Sequence, residues 1–308
     1  MAKVVSVNVS EEKGTVKRPV PTITVDAQGI EGDAHAGPWH RQVSLLAQES
    51  IDGFSAQSNR SFQHGEFAEN ITTHGIDLVT CGIRDRLKIG AVELEVSQIG
   101  KKCHGDGCAI FREVGACVMP KQGIFARVIS GGQIEPGDVI EHVSVPLVIR
   151  VITLSDRAAA GVYEDRSGPR VEAMLAEHFG QSHWNAQVSR VVIPDDVSQL
   201  NGLLAKAVEA SVDVVMTLGS TGVGPRDIAP DAVLSVCDKT MPGIMEFIRA
   251  KHGETIPSAR LSRSVAAVAG QTQMYTLPGS VRAVEQYTQE ILKTLEHTVH
   301  MLRGDDIH

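Results

Sequence analysis

The chain has 308 residues, 42% of them hydrophobic and 21% charged, with a formal net charge of −8. This composition is typical of a globular protein, and the length favours two domains. The acidic balance and an aromatic content of 4% argue against a nucleic-acid binder, which needs basic patches or stacking rings. The sequence shows no signal-like segment and no membrane-spanning apolar run. Five cysteines, an odd number, predict reduced thiols and a cytoplasmic location.

The first half of the chain, residues 1–146, has a β-rich texture. Short runs such as VVSVNV, QVSLLA and VELEVSQI are separated by glycine-rich turns, and helical periodicity is almost absent. This pattern predicts a mostly-β domain, a compact and largely antiparallel barrel or sandwich. Two histidines, His35 and His40, flank a Gly-Pro turn and are candidate phosphate contacts. Cys81 lies in an apolar context that predicts a buried packing role, as does Cys237 in the second half.

Cys103 is the candidate reactive residue of this half. It lies between two lysines and His104, and neighbouring positive charge favours the thiolate. A thiolate can carry persulfide sulfur or ligate molybdenum, whereas the structural alternative is an inert thiol in a turn. Cys103, Cys108 and Cys117 also form a C-x4-C-x8-C pattern. This pattern leaves a zinc or iron–sulfur site as an alternative interpretation, although structural zinc prefers more closely spaced cysteine pairs.

From Leu147 the texture changes to alternating strands and helices. Two apolar runs have the pattern of buried parallel strands, VIRVITLS and VDVVMTL, with helical stretches between and after them. The alternation predicts an α/β three-layer sandwich with a mostly parallel sheet over residues 147–308. In such a fold, ligands bind at the carboxyl ends of the strands.

Three polar loops follow predicted strands of this half. Ser155 and Asp156 follow the first strand directly. In the IPDD turn, Asp196 and Gln199 fit a capping box, which leaves Asp195 outside the helix. The third loop, GSTGVGPRD, spans 219–227.

That third loop has the strongest functional signal. Its glycines at 219, 222 and 224 let the backbone approach an anion, and a helix N-terminus follows. The spacing matches neither the dinucleotide nor the Walker phosphate loop. Asp227, beside Arg226, has no evident structural role and could hold a metal next to a phosphate. A purely structural glycine turn is the alternative.

Several blocks of the second half together resemble the molybdopterin adenylyltransferase family of molybdenum-cofactor biosynthesis. They are TLSDRAAAGVYEDRSGP, IPDD, TLGSTGVGPRDIAPDA, MPGIMEFIR, LSRSVAAVAG and LPGSVRAVEQ, in order over residues 147–304. The resemblance implies transfer of AMP from Mg-ATP to molybdopterin and a homotrimer. By motif position it assigns catalysis and Mg²⁺ binding to Asp195 and Asp227. It implies a phosphate-binding loop at Gly219, Ser220, Thr221 and Gly222. Ser155, Asp156, Arg226 and Ser280 are further predicted binding residues.

Adenylyl transfer suits these residue types. The reaction joins two phosphates that repel each other, so catalysis depends mainly on positioning and charge neutralisation. The chain departs from the family pattern at three positions: Ser220 replaces the second of two glycines, Ala229 a threonine, and Val281 a proline. None of the three removes a carboxylate, but they leave the alternative that the domain binds its substrates without catalysing the transfer.

The first half resembles the MOSC domain, a β-barrel family named after molybdenum-cofactor sulfurases. The resemblance rests on GIEGDAHAGPWHRQVSLLAQESI, GEFAENITTHGIDL, LKIGAVELEVSQIGKKCHG and KQGIFARVISGGQIEPGD, over residues 4–142. It implies handling of sulfur or of a molybdenum or tungsten cofactor, with Cys103 at the position of the family's cysteine.

Three hypotheses follow for the whole chain. The leading one is an adenylyltransferase fused to a MOSC domain that binds or sulfur-modifies the cofactor through Cys103. The second is a non-catalytic molybdopterin carrier or storage protein. The third is a MOSC-centred sulfur transferase or reductase with a docking C-terminal domain. All three exclude nucleic acid and membrane as partners, and leave other cofactor-biosynthesis proteins as possible ones.

Overall fold

The structure, a computed structural model, describes residues 1–102 and 116–305. The chain forms two compact units: Met1–Pro146 with His183–Asn185, and Leu147–Ser182 with Ala186–Asp305. They are called the N-terminal and C-terminal domains below. No helix within the described ranges is both long and apolar enough to cross a membrane.

The N-terminal domain is β-rich, as predicted. Its strands form an eight-stranded sheet in the order β11-β7-β8-β9-β5-β6-β1-β2 and a three-stranded sheet in the order β10-β3-β4. All pairs are antiparallel except β5–β6. The strands are β1 Lys3–Val9, β2 Arg18–Val20, β3 Ile23–Asp26, β4 Gly29–Ile30, β5 Val43–Ala47, β6 Ile71–His74, β7 Arg86–Ile89, β8 Val92–Ile99, β9 Ile124–Ser130, β10 Gly132–Ile134 and β11 Ile140–Val143.

One contact links the two ends of the large sheet. Lys3 of β1 forms an isolated antiparallel bridge with Val139, just before β11. The N–H of Val4 donates to the carbonyl of Asp138 at 2.8 Å. Strand β5 lies near the middle of this sheet, and all five of its residues are buried.

The N-terminal domain also contains helices, which the sequence pattern did not indicate. Helix α1 spans Gln48–Ser58, and a short helix α2 spans Met119–Gln122. In α1 only Ile51 is buried, so the helix shows no apolar stripe with a period of 3.6 residues. It ends where Asn59 adopts a left-handed conformation, a common helix terminator.

The sheet of the C-terminal domain is mixed rather than mostly parallel. Its order is β13-β12-β14-β17-β16-β15, and the first four strands are parallel. The last two pair antiparallel. Only Gly270 and Gln271 separate β16 from β17, and two residues can join antiparallel strands but not parallel ones. The strands are β12 Leu147–Leu154, β13 Ala186–Ile193, β14 Val214–Leu218, β15 Lys239–Thr240, β16 Ala266–Ala269 and β17 Thr272–Leu277.

Helices cover both faces of this sheet. Ile152 and Leu154 of β12 pack in one apolar cluster with residues of α5 and α6. Thr153 points to the other face, where its hydroxyl donates to Asp165 just before α4. Helices α4 and α8 contact each other on that side. The helices are α3 Asp156–Ala159, α4 Ser167–Phe179, α5 Val197–Glu209, α6 Ala229–Val236, α7 Pro242–Gly253 and α8 Val281–Arg303.

Candidate functional site

An open cleft of about 810 Å³ lies in the C-terminal domain, where β12, β14 and β17 end. Six of the predicted site residues line it: Ser155, Asp195, Ser220, Arg226, Asp227 and Ser280. Four others are not among the lining residues: Asp156, Gly219 and Thr221, each next to a lining residue in sequence, and Gly222, two residues from Ser220 and from Gly224. The cleft is therefore at the edge of the sheet where ligands bind in this fold class.

The loops after β12 and β13 are tied to each other through two aspartates. The N–H of Asp195 donates to the Asp156 carboxylate at 3.1 Å, and the N–H of Asp156 lies 3.4 Å from the Asp195 carboxylate. Arg226, from the glycine loop, pairs with Asp156 at 2.6 Å and also reaches the carbonyl of Asp195. Asp156 is thus the residue on which three loops meet, and its role is to position the others.

The carboxylate of Asp195 makes few contacts with the other described residues. Its neighbour Asp196 accepts the N–H of Gln199 at 2.7 Å and caps α5, which confirms the predicted capping role. The Asp195 side chain has only the long contact with the Asp156 N–H, and no cation pairs with it among the described residues. A carboxylate oxygen at the cleft is therefore available for a ligand.

The glycine loop is closed by the side chain of Ser220. This residue has φ = +57°, a left-handed conformation that costs a non-glycine residue about 1 kcal/mol or more. Its hydroxyl donates to the Arg226 carbonyl at 2.8 Å and accepts the Ile228 N–H at 2.9 Å. Its carbonyl accepts the N–H of Ala229. The side chain thus joins the two ends of the loop and fixes the backbone of Arg226.

Asp227 folds back over the same loop. One carboxylate oxygen accepts the N–H of Gly224 at 2.8 Å. A Cβ added at Gly222 would lie 2.7 Å from this oxygen, so the loop needs glycine there to make room for the aspartate. The other carboxylate oxygen has no hydrogen-bond partner among the described residues. Asp227 and Asp195 thus each present carboxylate oxygen to one cleft.

Arg263 anchors the glycine loop, a role that the sequence motifs did not single out. Its guanidinium donates to the carbonyls of Gly222 and Asp227 at 2.8 and 2.9 Å and forms a bidentate pair with Asp231 of α6. The hydrogen bond from Arg263 lowers the pKa of the exposed Asp231 carboxyl. The only sequence signal was an isolated arginine in the LSRS block, directly before β16.

Two arginines line the cleft without a carboxylate partner in the described part of the chain. Arg157 stacks on the Tyr163 ring, with its Cζ 4.8 Å from the ring centre, and Arg166 is exposed. Because a guanidinium can bind phosphate oxygens with two donors, these side chains give the cleft the means to hold an anion. The hydroxyl of Ser280, in contrast, is used in capping α8 through the Ala283 N–H.

Each half of the chain matches the model of a known family. The model of the family described as "Probable molybdopterin binding domain" matches residues 150–297, and that of the MOSC domain matches residues 32–141. Over 154 residues the chain is 34% identical to molybdopterin adenylyltransferase of Escherichia coli (strain K12), covering 50% of this chain and 77% of that protein. The chain belongs to the molybdopterin adenylyltransferase family.

Two further proteins are similar to about half of this chain. The chain is 33% identical over 158 residues to the molybdenum cofactor synthesis protein cinnamon of Drosophila melanogaster, and spans only 26% of its length. The structure of the molybdopterin biosynthesis Mog protein from Mycobacterium ulcerans is 31% identical, with a TM-score of 0.47, and the match covers 53% of this chain and all of that one.

The three departures from the family pattern have different structural consequences. Ser220 does not block the cleft with its hydroxyl, because that group is engaged within the loop. Ala229 is fully buried, and α6 begins there without a side-chain cap. The Ile228 N–H that precedes it is instead satisfied by Ser220. Val281 is the first residue of α8 and lines the cleft.

The candidate residues of the MOSC half are only partly described. Cys103 and Cys108 lie outside the described residues, so the cysteine-cluster interpretation stays a prediction. Cys81 is buried, as predicted, and burial raises its pKa to about 12. It lies with Asp85 and His142 in a group whose ligand atoms are within 4.8 Å of one another. Asp85 already accepts hydrogen bonds from the Gly82 and Val145 N–H groups and contacts His142 at 2.6 Å, which explains this group structurally.

Proposed function

We propose that the C-terminal domain adenylylates molybdopterin with Mg-ATP. The observation that supports this most is the convergence of Asp195, Asp227 and Arg226 on one cleft. The same cleft presents two arginines that have no carboxylate partner in the described part of the chain. Adenylyl transfer requires two phosphates to be held together against their repulsion, and guanidinium groups with a metal-bound carboxylate pair can do this. The name of the relatives, molybdopterin adenylyltransferase, indicates the substrate.

The carboxylates suit the proposed Mg²⁺. Mg²⁺ prefers oxygen ligands and is commonly bound through one or two carboxylates together with substrate phosphates. Asp195 and Asp227 each keep a carboxylate oxygen without a partner among residues 1–102 and 116–305, whereas Asp156 is neutralised by Arg226. When bound, the ion would neutralise phosphate charge. The chain itself orients the two carboxylates, through the Asp156 contacts and the closed glycine loop.

The test is transfer of AMP from Mg-ATP to molybdopterin by the full chain. Asp195→Ala and Asp227→Ala should each reduce the rate about a hundredfold or more, since each removes preorganised charge from the transition state. Asp196→Ala is the matched control: it removes a helix cap, at about 1 kcal/mol of stability, and should leave transfer unchanged. Molybdopterin binding without transfer, insensitive to Asp227→Ala, would instead indicate a carrier.

We also propose that residues 1–146 form a MOSC domain that binds or sulfur-modifies the cofactor through Cys103, and that residues 147–308 form the molybdopterin-binding domain. The MOSC match and the Lys3–Val139 bridge support closure of the N-terminal sheet into a barrel. A homotrimer, a molybdenum- or tungsten-containing cofactor and a cytoplasmic location complete the proposal. Cys103→Ser should abolish cofactor modification and spare adenylyl transfer; the reverse result would contradict the division of roles.

A further inference from the structure

One arginine outside the glycine loop holds several of the loop's carbonyl groups. The backbone N–H of Arg263 donates to the carbonyl of Thr221 at 2.8 Å. Its guanidinium donates to the carbonyls of Gly222 and Asp227 at 2.8 and 2.9 Å. Arg263 lies in the segment before β16, so these contacts tie the loop to another part of the C-terminal domain.

The N–H groups of the same loop are used less than its carbonyls. The other engaged carbonyls have donors within the loop or at the start of α6; they are those of Ser220, Gly224 and Arg226, which accept from the Ala229 N–H, the Asp227 N–H and the Ser220 hydroxyl, respectively. In contrast, the N–H groups of Thr221, Gly222 and Val223 have no hydrogen-bond partner among residues 1–102 and 116–305. A run of backbone N–H groups of this kind suits an anion.

The ion pair of Arg263 points to a local role rather than to global stability. Asp231, in the first turn of α6, binds the guanidinium through both carboxylate oxygens. The two side chains are 39% and 64% exposed, and ion pairs with this exposure contribute little to stability. The pair instead fixes the direction of the planar guanidinium, so that its donors reach the two loop carbonyls.

We propose that Arg263 is a positioning residue for adenylyl transfer, an inference that rests on the function proposed above. Because Arg263 holds the carbonyls of Gly222 and Asp227, the loop N–H groups, and not carbonyl oxygens, are left for a substrate phosphate. Arg263 also fixes the backbone of Asp227, and with it the carboxylate proposed to hold Mg²⁺. Without these contacts the peptide groups can rotate, and a misplacement of about 1 Å can lower a rate about a hundredfold.

The first measurement is AMP transfer from Mg-ATP to molybdopterin by the full chain. Arg263→Gln should lower kcat about tenfold to a hundredfold and raise the Mg²⁺ concentration that gives half the maximal rate. A variant that was only less stable would have a smaller active fraction but the Mg²⁺ dependence of the parent chain. Arg263→Lys keeps the charge without the planar fork and should show a smaller loss. It takes the place of Arg263→Gln if that variant does not fold by circular dichroism.

Amide hydrogen exchange provides a second measurement, which needs no substrate. The N–H groups of Gly224, Asp227 and Ile228 are hydrogen-bonded within the loop, so their exchange reports its opening. In Arg263→Gln, a peptide covering residues 219–228 should exchange about tenfold faster or more, whereas a peptide from β12 should keep the parent rate. Asp231→Asn should have a smaller effect, because the contacts of Arg263 with the carbonyls remain.

Arg170 provides the matched control. It forms a similarly exposed ion pair with Glu285, which joins α4 to α8. Its side chain contacts no carbonyl of the glycine loop within the described part of the chain. Arg170→Gln should therefore leave kcat, the Mg²⁺ dependence and the exchange of the loop peptide unchanged.

Two results would overturn the inference. One is exchange of the loop peptide at the parent rate in a folded Arg263 variant, whatever its activity. The other is an unchanged Mg²⁺ dependence of transfer in the same variant. If the parent chain transfers no AMP at all, the proposed function fails instead, and hydrogen exchange alone decides whether Arg263 holds the loop.

Discussion

The C-terminal cleft and the buried polar network of the N-terminal domain use charged groups in opposite ways. In the cleft, Arg226 and Asp156 form an exposed pair that positions a loop, and the carboxylates of Asp195 and Asp227 keep oxygen available. In the N-terminal network, Lys17 and Asp33 are both fully buried and satisfy each other. Exposed pairs contribute little to stability, whereas breaking a buried pair is costly. Mutations in the cleft should therefore be detected mainly as changes in activity, and mutations in the N-terminal network mainly as changes in stability.

The largest expected effect tests the buried side of this contrast. Lys17→Met removes the partner of Asp33 and leaves an uncompensated buried charge, which should lower the free energy of unfolding by about 3–5 kcal/mol. Urea denaturation followed by circular dichroism measures it. Lys88→Met, at an exposed lysine of β7, is the matched control and should change stability by less than about 0.5 kcal/mol. Equal effects of the two substitutions would show that the buried pair has no special role.

The second effect is smaller and concerns the glycine loop. Ser220→Ala loses two hydrogen bonds and keeps the strained φ of +57°, whereas Ser220→Gly loses the same bonds but relieves the strain. The alanine variant should therefore be less stable than the glycine variant by about 1 kcal/mol. In adenylyl transfer, both variants should raise KM for ATP. Expressed as a free energy, this increase should exceed the change in stability, because the loop carries Arg226 and Asp227.

Ser211 supplies the control for the loop. It has a similar φ of +51° at an exposed turn, and its hydroxyl has no hydrogen-bond partner within residues 1–102 and 116–305. Ser211→Gly should therefore stabilise the chain by up to about 1 kcal/mol, since strain is relieved and no hydrogen bond is lost, while the greater entropy of glycine in the unfolded chain offsets part of the gain. If Ser220→Gly stabilises equally, the Ser220 hydroxyl bonds contribute nothing to the loop.

Local patterns were enough to place the cleft but not to explain how its loops are held. The capping role of Asp196 and the position of the site at the strand ends follow from short-range sequence rules. The role of Arg263 does not, because it depends on contacts with Gly222 and Asp231, about 30 to 40 residues away in sequence. The antiparallel edge of the sheet was missed because apolar runs do not reveal strand direction.

The hydroxyl of Ser220 illustrates the same limit. From sequence, Ser220 at a usual glycine position only leaves open the alternative of a domain that binds without turnover. In the folded loop the hydroxyl turns inward and accepts the N–H of Ile228, and the carbonyl of Ser220 accepts the N–H of Ala229. The two departures are therefore coupled in space, and only the loop conformation shows this.

The smallest effect concerns Glu69, a group of the N-terminal network that is not fully satisfied. Its side chain is buried, one carboxylate oxygen has no hydrogen-bond partner, and burial raises the pKa of the carboxyl. In the unfolded chain this pKa is about 4.3, so the folded state binds the proton more tightly. The stability that the protonated group contributes is complete below the unfolded pKa and is lost as pH rises through the folded one.

Glu69→Gln removes this loss, because the amide does not ionise. Relative to the parent chain, the variant should gain stability as pH rises above about 4.3, at up to about 1.4 kcal/mol per pH unit, until the folded pKa is passed. Urea denaturation at a series of pH values measures the difference. Burial raises the pKa of Asp33, but hydrogen bonds from His35 and Lys17 lower it by more, so its effect on stability has the opposite trend with pH; this effect is common to both chains and cancels in the difference. The nearby Lys17 ammonium favours the ionised form and limits the size of the gain. A difference independent of pH would mean that Glu69 titrates alike in the folded and unfolded chain.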